Sequence, residues 1–97
     1  QRDAKLAGVG GTPTLTATTI SDTEIDLTWT SVGDNFIIER NRENDGAWMQ
    51  VYNSATASFS DTGLYTEEHY YYRLKSQVTG EFDSAWVFTD ATTNALP

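Results

Sequence analysis

Glu24-Ile25-Asp26-Leu27-Thr28-Trp29-Thr30 alternates residue by residue between apolar and polar side chains. Ile25, Leu27 and Trp29 fall on one face and Asp26, Thr28 and Thr30 on the other, the period-2 signature of a half-buried β-strand. Trp29 is the largest apolar side chain of the stretch and is expected to be the main packing residue between two sheets.

Turn residues bracket this strand, Ser21-Asp22 before it and Gly33-Asp34-Asn35 after it. The same grammar continues in both directions. Upstream, Pro13 opens the run Thr14–Ile20, a place where an edge strand tolerates proline. Downstream come Phe36–Arg42, then Asn44-Asp45-Gly46 as a hairpin signal into Ala47–Asn53. A short strand around Ala57–Ser60 precedes the turn Asp61-Thr62-Gly63 and the loop Tyr65–Glu68. His69–Gln77 and Ala85–Thr92 are the last two strands, separated by Thr79-Gly80-Glu81. Seven short strands at this spacing, with no long helical periodicity, predict an all-β chain: a seven-stranded antiparallel, immunoglobulin-like β-sandwich.

The 97 residues suit one domain, expected over residues 12–93. Residues 1–11 close on Gly8-Val9-Gly10-Gly11 and read as a flexible linker, and residues 94–97 read as a C-terminal linker. There is no cysteine, so neither a disulfide nor a thiolate site is available. Six basic residues against 14 acidic ones give a net charge of −8. Such a surface repels phosphate backbones and anionic lipid, which argues against nucleic-acid and membrane partners. The longest apolar run, Ala85–Phe88, is far short of the ~20 residues of a spanning helix.

Two motifs carry a family resemblance. The first is Ile25-x-Leu27-x-Trp29. The second is Leu64 followed six residues later by Tyr70, then Tyr72-Arg73-Leu74. Together they resemble the fibronectin type III family, which implies a tyrosine corner in which the Tyr70 hydroxyl returns to backbone a few residues upstream. Thr66 stands where the family often has Pro, and Glu68 where it often has Thr. Phe36-Ile37-Ile38-Glu39-Arg40 with Asp45-Gly46-x-Trp48, and Ser58-x-Ser60-Asp61-Thr62-Gly63-Leu64, resemble bacterial members found in secreted polysaccharide-degrading enzymes. Leu64, Tyr70 and Trp29 are therefore the expected structural residues.

Parity places Ile25, Leu27, Trp29, Phe36, Ile38, Tyr70, Tyr72 and Leu74 inside. The last strand has two readings, with Val87, Thr89 and Ala91 inside or with the larger Trp86 and Phe88 inside. If Trp86 and Phe88 face out, the four-stranded sheet presents Ile37, Glu39, Trp48, Tyr52, Tyr71, Arg73, Trp86 and Phe88 on its outer surface. That is more aromatic area than scattered surface residues supply. Two uses compete: the tryptophans shield the sheet, or they form a platform for a sugar ring or a neighbouring module, with Arg73 and Glu39 as polar handles.

Catalytic constellations are not visible. His69 beside Glu67 and Glu68 has no converging nucleophile or second acid, and it reads as an exposed structural residue. Asp22, Glu24 and Asp26 alternate along one strand and read as a solvated face. Asn41 to Gly46 imitates the first half of a calcium loop, but position 12 is Tyr52 rather than a bidentate Glu. The chain is thus expected to be a non-catalytic, monomeric module without metal or cofactor. The resemblance implies an extracellular setting and a multidomain bacterial parent, a carbohydrate-active enzyme, with neighbouring domains of the same polypeptide as partners. A module binding polysaccharide or a cell-surface protein through the aromatic face, and an adhesin repeat, are the alternatives.

Overall fold

A computed structural model describes residues 13–30, 32–43 and 47–97. The expected linker over residues 1–11 and the Asn44-Asp45-Gly46 turn lie outside them. Seven strands follow in chain order: β1 (Leu15–Thr19), β2 (Ile25–Trp29), β3 (Asn35–Arg42), β4 (Met49–Ser54), β5 (Ser58–Asp61), β6 (His69–Gln77) and β7 (Val87–Thr92). They form a three-stranded sheet, β1-β2-β5, and a four-stranded sheet, β4-β3-β6-β7, all pairs antiparallel. The result is a two-layer β-sandwich.

The inner faces meet as parity dictates. Ile25, Leu27 and Trp29 of β2 pack with Phe36 and Ile38 of β3 and Tyr70, Tyr72 and Leu74 of β6, all buried. The Trp29 ring meets the edge of Phe36 at 5.5 Å between centroids, so the indole spans from one sheet to the other. Aromatics of this size bury the most area per side chain of the core, beside the aliphatic Ile25, Leu27, Ile38 and Leu74. In β7, Val87 and Ala91 pack against this core while Phe88 points out. Of the two readings of the last strand, the one with the smaller side chains inside holds. The space beneath β7 is already filled by Tyr70 and Tyr72, its register partners through Ala91 and Thr89.

A buried polar cluster ties the two sheets together. Asp61 of β5 accepts from Arg40 Nη1 at 2.8 and 2.9 Å and from the Tyr72 hydroxyl at 2.7 Å. Burial, and then the adjacent Asp61 carboxylate, push the Tyr72 phenol far above its ordinary value. A charge sealed between sheets persists only when every oxygen is satisfied, and these three hydrogen bonds from two donors do that.

The chain enters and leaves at opposite ends. Leu15 pairs with Trp29 and Thr19 with Ile25, so β1 runs the length of the sandwich from an entry pole, where Thr30 N–H donates to Thr14 C=O. At the far end Asn94 N–H donates to Ser21 C=O at 3.2 Å. The exposed Asn94 is therefore hydrogen-bonded to the fold through its backbone, one position past the buried Thr93.

Candidate functional site

Two places bring the expected residues together: the corner below β6 and the outer face of the four-stranded sheet. At the corner, Gly63 turns the chain with φ +71°, a conformation an L side chain resists. Leu64 then drops into the core. Tyr65 N–H donates to the Tyr70 hydroxyl at 2.8 Å, closing the loop onto the strand it precedes. Thr66 and Glu68, where the family pattern has other residues, are bound by the chain's last segment. Thr66 Oγ1 donates to Asn94 C=O at 2.8 Å, and Glu68 N–H donates to Thr93 Oγ1 at 2.9 Å. The buried Thr93 hydroxyl in turn donates to Tyr65 C=O at 2.6 Å. Glu67 sits at φ +50° within this brace.

The outer face is organised by Arg73. Its guanidinium carbon lies 4.4 Å from the centroid of Trp48 and 4.3 Å from that of Trp86, so the cation is sandwiched between two indoles. Glu39, directly across in the β3–β6 register, accepts from Arg73 Nε at 2.8 Å and from Nη2. Lys75 extends the row with its ammonium 4.9 Å from Trp86, and is itself paired with Asp83 at 3.0 Å. That pairing, foremost a hydrogen bond from Lys75, holds the Asp83 carboxyl below its ordinary value. Phe88 abuts Trp48 edge-on at 6.1 Å. Tyr71 stacks with His69 at 4.4 Å, and His69 Nε2 lies 2.7 Å from Asp90. Trp48, Trp86, Arg73, Glu39, Phe88 and Tyr71 therefore share one face.

Two expectations for this face are corrected. Tyr52 points into the sandwich, its ring 5.6 Å from Trp29 and 4.9 Å from Phe59, with its hydroxyl donating to Thr56 C=O. The cause is a register shift: Ile38 pairs with Tyr52 and Glu39 with Gln50, leaving Val51 unpaired between them. One extra residue reverses side-chain parity, so Trp48 faces out and Tyr52 faces in. Ile37, the other expected outer residue, does lie on the outer side of β3 but is only 8% exposed. It sits in register with Lys75 of β6, whose aliphatic stem and paired head belong to the covering row.

Arg73 thus occupies one face of each tryptophan, with Lys75 also against Trp86, and Phe88, 63% exposed, and the rim of Tyr71 stay open beside them. Arg73 and Glu39 are committed to one another. Elsewhere, Asp22, Glu24 and Asp26 lie near the start of β2, and a hydrogen bond that the protonated Glu24 carboxyl donates to Asp26 raises Glu24 above its ordinary value. No cluster of three or more His, Asp or Glu side chains suited to a metal occurs among the described residues. The Asp61–Arg40–Tyr72 cluster was missed by sequence reasoning; a lone Asp at a strand end looks like any turn residue.

No protein-family model and no curated protein sequence matches the chain. Solved structures do. A computationally redesigned β-sandwich protein is 24% identical, with 89% of this chain and 92% of that one covered at a TM-score of 0.75. FN3tt is 18% identical over 86% and 92%, at 0.74. An Fn3-like protein from Clostridium thermocellum is 18% identical over 90% and 94%, at 0.69. The chain has the fibronectin type III fold.

Proposed function

We propose that this chain is a non-catalytic accessory and spacer module of a secreted multidomain protein. One observation carries the reading: the chain enters and leaves at opposite poles, and hydrogen bonds from Thr93 and Asn94 clamp the exit. A sandwich strung end to end sets a fixed separation between whatever it joins, which a flexible linker does not. The bacterial, polysaccharide-degrading parent rests on the resemblance of the Phe36–Trp48 and Ser58–Leu64 segments, and the surplus of acidic residues suits an exposed, soluble setting.

The reading of the outer face as a sugar platform has less support, because Arg73 and Lys75 already engage both indoles. Shielding of the sheet is the better account of Trp48 and Trp86. The test is replacement of residues 13–94 by a Gly/Ser linker in the longest natural polypeptide that carries them. Any flanking catalytic domain is expected to keep its kcat on a small soluble substrate within about twofold, since a spacer touches no reacting atom. Abolished turnover, or hydrolysis of a polysaccharide by the isolated module, overturns the reading.

A further inference from the structure

Exposed apolar side chains gather at the exit pole. Ile20, Tyr65 and Leu96 are 48%, 62% and 67% exposed, and hydrogen bonds join their segments. Asn94 N–H donates to Ser21 C=O, one residue from Ile20. Asn94 C=O accepts from Thr66 Oγ1 and from Glu67 N–H, one and two residues from Tyr65. Leu96 lies two residues beyond Asn94. Arg42 covers Tyr65 with its guanidinium carbon 4.3 Å from the ring centroid, holding the ring in place. Arg42 is itself paired with Glu68 at 3.7 Å, while Asp22, Glu24 and the exposed Glu67 add carboxylates around the patch.

We propose that this acid-rimmed apolar pole is the docking surface for the module that follows in the same polypeptide, and that the docked face offers an apolar side chain flanked by Lys or Arg. The proposal rests on the spacer reading and supplies its missing contact. Charge complementarity selects the partner: two copies of this pole repel one another, whereas a basic, apolar surface is attracted. Connectivity also favours it, because a module joined through the Leu96 segment has an effective concentration on the order of millimolar at the patch. At that concentration a contact too weak to survive between separate molecules stays closed. The outer sheet face is a poorer match for such a partner, since its cations Arg73 and Lys75 are already paired with Glu39 and Asp83.

The 97 residues hold no cysteine, so an introduced thiol is the sole labelling site within them, followed by mass spectrometry of its own peptide. Ile20→Cys at the patch and Thr16→Cys on the exposed face of β1 are labelled with a maleimide, in the 97-residue chain and in the longest natural polypeptide containing it. In the longer protein, Ile20→Cys is expected to react at least about tenfold more slowly, as a contact closed nine-tenths of the time requires. Thr16→Cys is expected to react equally in both. The added changes Tyr65→Ser and Leu96→Ser should restore the fast rate, and salt should weaken the protection. Equal rates for Ile20→Cys overturn the docking, and do so without touching the spacer reading if linker replacement still spares the flanking activity. Protection that appears in the 97-residue chain alone as its concentration rises assigns the patch to a second copy and overturns the proposal as well. Protection that persists in the Tyr65→Ser, Leu96→Ser variant likewise overturns it.

Discussion

The Tyr70 hydroxyl accepts the backbone N–H of Tyr65 at 2.8 Å. The bond joins a fully buried strand residue to the loop five residues before it, so the register of β6 and the path of the loop are set together. Tyr70→Phe removes the acceptor and leaves a partly buried N–H without a partner, a loss of about 1–3 kcal/mol. Tyr71→Phe, one residue on and facing out, should stay within about 0.5 kcal/mol of the parent. Urea denaturation of both variants checks this; equal losses would mean that the corner contributes nothing.

Trp29 and Trp48 separate the inner from the outer face. Trp29→Ala empties the space between the sheets and should cost about 3–5 kcal/mol. Trp29→Phe should cost markedly less, because the buried indole Nε1 makes no hydrogen bond that phenylalanine would forfeit. Trp48→Ala should cost less than Trp29→Ala. Chemical denaturation that ranks Trp48→Ala as the worse change would invert the assignment of the two faces.

The inward turn of Tyr52 has its own signature. With Val51 as the bulged residue, Tyr52→Ala removes a ring packed on Trp29 and Phe59. The loss should be about 2–4 kcal/mol, below that of a fully buried aromatic. A surface position would change by less than about 0.5 kcal/mol, so thermal or urea unfolding of this one variant decides the parity of β4.

Arg73 should not be replaceable by lysine. A guanidinium is flat enough to lie between two indoles while its edge bonds Glu39, and an ammonium can do only one of these. Arg73→Lys should cost about 1–2 kcal/mol. Trp48 and Trp86 should also become more accessible to iodide quenching of their fluorescence. Unchanged quenching would show that Arg73 does not hold the indoles down.

The Asp61 cluster should behave as one unit. Asp61→Ala strands Arg40 and the buried Tyr72 hydroxyl together, and should cost about 3–5 kcal/mol. Tyr72→Phe alone should cost about 1–3 kcal/mol. In the double variant the losses should fall well short of additive, because the hydroxyl's partner is already gone. Additive losses by calorimetry would mean that the hydroxyl draws nothing from Asp61.

Alternation in Glu24–Thr30, turn residues at regular intervals, and the Leu64-to-Tyr70 spacing were enough to establish seven strands, two layers and most of the core. These are local properties: a side chain's face follows from its position along an extended backbone, and turn chemistry follows from φ preferences. Three things were decided only by the assembled sheets. The bulge at Val51 depends on how β4 meets β3, so counting along β4 put Tyr52 on the wrong side. The choice between Val87 and Trp86 as the inner residue depended on the room left by Tyr70 and Tyr72. Arg73 reads in the sequence as a polar handle open to a ligand, yet residues 25 positions before it and 13 after it close over its faces. Each of these outcomes depends on contacts between distant strands, and an alternating pattern carries no record of which distant residue will be its neighbour.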